Sequence, residues 1–218
     1  MPKTDIFRCG AGLSVAKTLC VFVHGRGQTP EEINDGVIAR VDAPDTAFWL
    51  PRQAEKAWYT AKAVDPLTED TRMELSRSLG FLGTIMAEAH SAAAGRPVFL
   101  AGFSQGACLS LEYGFAGGHD MDALAAFTGC RVGKLGDKRP ASFPADLPVY
   151  LSGSDADPWI PVTAFAETTL ELGQARTALR SDLFPGRDHQ VSDAECRMLA
   201  TLLRDFTEQR NHIMGAPR

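Results

Sequence analysis

The chain reads as an α/β protein with a doubly wound, mainly parallel sheet flanked by helices. Three observations predict this. Short apolar runs of strand length alternate with longer segments of helical period. The apolar runs are continuous, as in strands covered on both faces. Several of them close on a glycine turn that leads into a helix.

Taken in order, residues 18–24 (TLCVFVH) form the first central strand and run into His24-Gly25-Arg26-Gly27. Thr29-Pro30-Glu31-Glu32 then supplies an N-cap, a proline suited to the first helical position and a capping-box glutamate. Residues 46–51 (TAFWLP) are the second strand, stopped by proline. From residue 51 to about 68 periodicity is lost, and Trp58 and Tyr59 sit together in this long irregular stretch. Leu75, Leu79, Leu82 and Met86 form one apolar stripe of a helix that Gly95 ends. Residues 97–103 (PVFLAGF) are a strand, and residues 105–116 a helix closed by Gly117-Gly118.

The alternation continues with strands at 122–129, 147–153 and 178–184 and a helix from Pro161 to Leu172, stopped by Gly173. The last helix has a capping box, Ser192-x-x-Glu195, and an apolar face of Val191, Met198, Leu199, Leu202, Leu203 and Phe206. With no repeat and no linker, the 218 residues are expected to form a single domain with its core at about 15–208. The N-terminal segment and the tail 211–218 are expected to be peripheral, the tail frayed.

Composition excludes several function classes. The chain is 44% hydrophobic and 22% charged with a net charge of −5, which gives no basic footprint for nucleic acid or anionic lipid. The first residues lack the apolar core of a secretion signal, and no apolar run is long enough to span a bilayer. A soluble, cytoplasmic protein without stable membrane insertion is expected. Cys9, Cys20, Cys108, Cys130 and Cys196 show no metal-ligand spacing and read as reduced, mostly buried thiols.

The chemistry concentrates around Gly102-Phe103-Ser104-Gln105-Gly106. Between a strand and a helix, G-x-S-x-G holds the serine in a sharp turn above the sheet edge. The backbone N–H of Gln105, at the helix start, then faces the same space and can stabilise an oxyanion. Such a serine needs a histidine base oriented by a carboxylate. His90 sits in the last turn of a helix, where a cation suits the dipole; His119 falls in a surface turn, His212 in the tail, and His24 ends the first strand. His189 follows the last strand and precedes the last helix, at the sheet edge where α/β proteins build their sites. Asp155 and Asp157, after the preceding strand, are both candidates for the carboxylate, and either could instead cap the helix that follows. Arg26, in the glycine turn, is the second candidate oxyanion donor through its backbone N–H.

The pieces VFVHGRGQ, WLPRQAEKAWY, LAGFSQGACLSL, SGSDADPWIPV and GRDHQ, in this order, resemble the phospholipase/carboxylesterase family of α/β-hydrolases over about residues 18–207. That family includes acyl-protein thioesterases and bacterial carboxylesterases. The resemblance implies an α/β-hydrolase fold with little or no lid. It implies Ser104 as nucleophile, Asp157 as the acid, His189 as base, and the N–H groups of Arg26 and Gln105 as the oxyanion hole. It further implies an exposed groove near Trp58 and Tyr59, with Trp159 lining and shortening an acyl pocket. Gln28, Ser152 and Gln190 depart from the family, where an aspartate, a histidine and a small residue are usual. The expected activity is that of a serine carboxylesterase on short to medium acyl esters, through an acyl-enzyme and without metal or cofactor. The rival is a lysophospholipase or acyl-protein thioesterase acting on long chains; a non-catalytic binding protein is disfavoured because every triad position is filled. The partner is a small ester or thioester, and a homodimer is compatible with the resemblance.

Overall fold

In the computed structural model, residues 5–55, 57–118 and 120–208 are described. The elements run β1 (Ile6–Gly10), β2 (Thr18–Val23), α1 (Pro30–Gly36), a 3₁₀ turn (Ile38–Arg40), β3 (Thr46–Pro51), α2 (Glu69–Ala93), β4 (Val98–Phe103), α3 (Gln105–Phe115), β5 (Ala123–Phe127), β6 (Pro148–Gly153), α4 (Val162–Gln174), β7 (Ala178–Leu183) and α5 (Asp193–Thr207). The seven strands form one sheet in the order β1-β3-β2-β4-β5-β6-β7, parallel except for β1. This is an α/β-hydrolase-type sheet with helices on both faces.

Strand periodicity explains the two layers. Along β2, Leu19, Val21 and Val23 face one core with Leu82, Ile85 and Met86 of α2, Leu109 and Leu111 of α3, and Phe165 and Leu172 of α4. The alternate residues Cys20 and Phe22 face a second core with Ile33 of α1 and Met198, Leu199 and Leu202 of α5. Because both faces are covered, the central strands are buried along their whole length. Both capping boxes expected from the sequence form, at Thr29–Glu32 and at Ser192–Glu195.

The N-terminal segment adds a strand that the sequence reading did not foresee: at the periphery of the sheet, Ile6–Gly10 pairs antiparallel with β3 as an edge strand. Only Ile6 of its residues is buried, and Arg8 lies over the Trp49 ring, 4.7 Å from its centroid. A five-residue, half-exposed edge strand carrying a charge has too short an alternation to stand out in sequence. His119, His212 and the tail 211–218 lie outside the described residues.

The register aligns the C-terminal ends of the strands. Val23 pairs with Gly102, Phe103 with Phe127, Phe127 with Ser152, and Gly153 with Leu183. The chain winds outward from β2 to β3, then returns to β4 on the other side, so β2 and β4 are adjacent at the topological switch point. The crevice beyond carboxyl ends at such a point is where open α/β sheets place their ligands.

Candidate active site

Ser104 stands at the turn from β4 to α3 with φ 54° and ψ −120°, a conformation that L-residues seldom adopt. Its neighbours make that turn possible. A Cβ on Gly102 would stand 2.6 Å from the backbone of Gly106, and one on Gly106 would run into the carbonyl oxygens of Val23 and His24. Strand and helix therefore approach only because both positions are glycine, and the serine is lifted over the sheet edge.

His189 meets the serine from the loop after β7. Its Nε2 is 2.8 Å from Ser104 Oγ, and its Nδ1 is 2.7 Å from Asp157 Oδ2. The imidazole packs against the Phe103 ring at 5.1 Å between centroids and is 18% exposed, whereas the Asp157 side chain is wholly buried. Burial pushes the Asp157 carboxyl up. The hydrogen bonds from His189 and from the backbone N–H of Ile160 and Trp159 outweigh it, so the group lies below the ordinary aspartate value. An ionised, fixed carboxylate favours the tautomer with the proton on Nδ1 and leaves Nε2 free to accept one.

Of the two aspartates that the residues alone left open, Asp157 is thus the one facing His189. Asp155 is engaged elsewhere. Its Oδ1 accepts the Gly186 N–H at 2.7 Å, holding the turn that precedes the histidine.

Gln105 directly follows the serine, and the turn after β2 approaches it: a Cβ on Gly25 would stand 3.2 Å from Ser104 Cβ. Gln105 is the first residue of α3, so its N–H has no acceptor within the helix. Gly25–Gln28 is a tight turn closed by the Gln28 N–H to the Gly25 carbonyl at 3.3 Å, with Gly27 at φ +77°. The N–H of Arg26, in the middle of this turn, takes no part in closing it.

Trp58 and Tyr59 do not line an exposed groove, contrary to expectation; each is only 3% exposed. The Trp58 indole donates to the His24 carbonyl at 2.8 Å, and its backbone N–H donates to Gln105 Oε1 at 2.9 Å. Gln105 Nε2 in turn donates to the Tyr59 carbonyl at 2.7 Å, and the Arg26 guanidinium donates to the carbonyls of Thr60 and Ala61. The irregular segment is therefore a brace that ties the turn at His24–Arg26 to the start of α3. Leaving those polar groups unpaired in a buried place would be costly, so the aromatics are drawn inward. Trp159 differs: it is 60% exposed beside Asp157 and offers its ring at the rim.

His24 also belongs to this brace. Its ring lies 4.9 Å from the Trp58 ring, and burial pushes its pKa down, so it stays neutral. Among the described residues no group of three or more His, Cys, Asp or Glu side chains is placed to hold a metal ion.

Residues 9–206 match the phospholipase/carboxylesterase family. The chain belongs to that family. A phospholipase/carboxylesterase from Dyadobacter fermentans is 27% identical, with a TM-score of 0.81 over 93% of this chain and 97% of its own. Esterase PE8 (21% identical, TM-score 0.73, 94% and 99% covered) and acyl-protein thioesterase 2 of Zea mays (14%, 0.73, 94% and 100%) share the fold. No curated protein sequence matches the chain. This member of the phospholipase/carboxylesterase family is therefore an α/β hydrolase of esterase or thioesterase type. No helix among its described residues is long and apolar enough to cross a membrane.

One feature of this family member escaped sequence reasoning. Arg187, two residues before the histidine, is buried and donates to the carbonyls of Asp188 and Gln190 on either side of it. The same guanidinium donates to Thr128 Oγ1 at 2.8 Å and lies 3.6 Å from Glu195 Oε1. Glu195 is completely buried and also accepts from the Ser152 hydroxyl, while Ser154 Oγ donates to the Arg187 carbonyl at 2.6 Å. Ser192-x-x-Glu195 was legible as a capping box, and it is one, but the glutamate's other oxygen serves this network. No sequence signal joins Arg187 to partners at positions 128, 154 and 195.

Proposed function

We propose that the protein is a serine carboxylesterase that hydrolyses carboxylic esters of short to medium acyl chains through an acyl-enzyme on Ser104. The observation that carries the reading is the unbroken chain from Ser104 Oγ through His189 to Asp157, with links of 2.8 and 2.7 Å. His189 takes the serine proton through Nε2 as Oγ attacks the ester carbonyl. Asp157 keeps the imidazole in the right tautomer and stabilises the cation formed. The oxyanion is received by the N–H groups of Gln105 and Arg26, with the α3 N-terminus adding its dipole. His189 then gives its proton to the leaving oxygen, and a water activated in the same way releases the acid.

A second reading, hydrolysis of long-chain acyl esters or thioesters, is favoured by the exposed apolar side chains of Trp159 and Val162 at the rim beyond Asp157. Rates on esters and thioesters of increasing acyl length separate the two. The common chemistry is tested by fluorophosphonate labelling mapped to Ser104, together with Ser104→Ala. The expected result is a single labelled serine and a loss of turnover of about 10³-fold or more, with the melting temperature unchanged. Labelling elsewhere, or ordinary turnover by the alanine variant, would overturn the assignment.

A further inference from the structure

The reaction fixes where the leaving alcohol must lie. Its oxygen takes the proton from His189 Nε2, so the alcohol part of the ester has to sit against the imidazole, away from the oxyanion donors. An open cavity of about 340 Å³ is walled in part by His189, and Gln28, Glu32, Arg40, Phe103 and Gln190 help to line it. Its volume falls within the about 300–1,000 Å³ of small-molecule sites.

The cavity reaches close to the nucleophile. Phe103 directly precedes Ser104, and Gln28 Oε1 accepts the Gly25 N–H at 2.9 Å. A Cβ on Gly25 would stand 2.7 Å from that oxygen and 3.2 Å from Ser104 Cβ, so the Gln28 carboxamide is one side chain away from the serine. With Oε1 committed to Gly25, the Nε2 amide of Gln28 has no acceptor among the described residues and is a donor for a ligand. Gln190 is exposed on the same wall and offers a second carboxamide.

The charges in the cavity narrow the ligand further. The charge of Arg40 is paired with Asp193 at 2.8 Å, and its guanidinium also donates to the carbonyls of Gly36 and Val191. Glu32 gives only Oε2 to the Thr29 N–H, which leaves its other oxygen to accept. The wall thus offers amides and a carboxylate oxygen but no uncommitted cation. It suits hydroxyl groups, is repelled by phosphate, and gains little from an alkyl chain.

Resting on the hydrolase reading, we propose that this cavity is the leaving-group subsite and that it selects esters of small neutral polyols, of the glycerol type, over esters of apolar or anionic alcohols. Gln28 and Gln190 are its specificity-determining residues. Discrimination of this kind follows from hydrogen bonds that the two carboxamides make to the alcohol's hydroxyl groups and that an apolar alcohol cannot make.

The test holds the butyryl group constant and varies the alcohol: glycerol, 1-butanol and glycerol 3-phosphate. The glyceryl ester is expected to exceed the butyl ester in kcat/KM by about tenfold or more, with the phosphate ester slowest. Gln28→Leu and Gln190→Leu should each shrink the glyceryl-to-butyl ratio severalfold. Because the ratio is read, any general effect of Gln28 on the oxyanion turn cancels. A wild-type ratio near one, or a ratio that neither variant moves, overturns the proposal. Hydrolysis of p-nitrophenyl butyrate and fluorophosphonate labelling, run on the same preparations, report separately on the hydrolase reading. A further measurement needs no turnover: glycerol and 1-butanol are titrated into the Ser104→Ala protein while the Gln28 and Gln190 side-chain amide resonances are followed by NMR. Glycerol should shift them at lower concentration than butanol, and the reverse order would sink the subsite.

Discussion

His189 is fixed by its neighbours in the chain as well as by its two ring partners. Arg187 holds the carbonyls on both sides of it, and the charge of that guanidinium is balanced by the buried Glu195. Reacting groups misplaced by about 1 Å can lose about 10²-fold in rate. Arg187→Met is therefore expected to lower kcat by about 10–100-fold with KM little changed, and Arg187→Lys to recover part of the loss. The double variant Arg187→Met/Glu195→Gln, which removes the stranded buried charge, separates this effect from instability. Unchanged kcat in a folded double variant would refute the positioning role. Ser104 and His189 were readable from their own stretches of chain, whereas Asp157 was separated from Asp155 only by the family resemblance. Arg187 was not readable, because its partners come from three other segments of the chain.

At the scale of elements, α3 is joined to α4 by a buried ionic cluster on the face of the sheet that carries them. Arg131, after β5, pairs with Glu112 of α3 at 2.7 Å and with Glu171 of α4, and Glu171 also accepts from Arg139. Glu112 Oε1 further accepts the Val132 N–H at 2.8 Å, and the Arg131 guanidinium lies 3.6 Å from the centroid of the Phe115 ring. Removing one partner of such a cluster strands a buried charge, which typically costs about 3–5 kcal/mol. Glu112→Ala should lower the unfolding free energy by an amount of that order, and Glu112→Gln, which keeps the acceptor for Val132, by less. Urea unfolding monitored by tryptophan fluorescence measures both, and an unchanged midpoint for Glu112→Ala would show that the cluster does not hold the layer. Central strands and capped helices were legible here because continuous apolar runs and cap residues act locally. The β1 edge strand and the inward turn of Trp58 were not, because each depends on a partner about forty positions or more away.

For the whole molecule, the shifted groups set a direction for pH dependence. Hydrogen bonds from Arg52 hold the Glu31 carboxyl down at about 2; those from the N–H and hydroxyl of Thr60 lower Glu74, and those from the Leu67 and Lys134 N–H groups lower Asp137. Asp157 is lowered as well. A carboxyl depressed on folding contributes stability that is present above its unfolded value and is lost as pH falls towards its folded one. His24, pushed down by burial, acts in the same sense: the unfolded chain takes up its proton first. The urea midpoint should therefore be highest around neutrality, begin to fall below about pH 6.5, and fall more steeply below about pH 4; burial raises the thiols of Cys20 and Cys196 and the phenols of Tyr113 and Tyr150, so it should fall again above about pH 8.5. A midpoint that rises on acidification from neutrality would contradict these assignments.

The sequence by itself determined the architecture, the serine turn and the order of the site residues, since strand patterning, capping and the glycines around Ser104 are local consequences of residue type. Tertiary structure decided that Asp155 turns to the Gly186 N–H while Asp157 meets His189, that Trp58 and Tyr59 brace the turn after β2, and that Arg187 fixes the histidine loop. Each of these depends on which polar groups are brought together and must be satisfied once water is excluded. That is a property of the packed sheet edge, which no single segment of the chain contains.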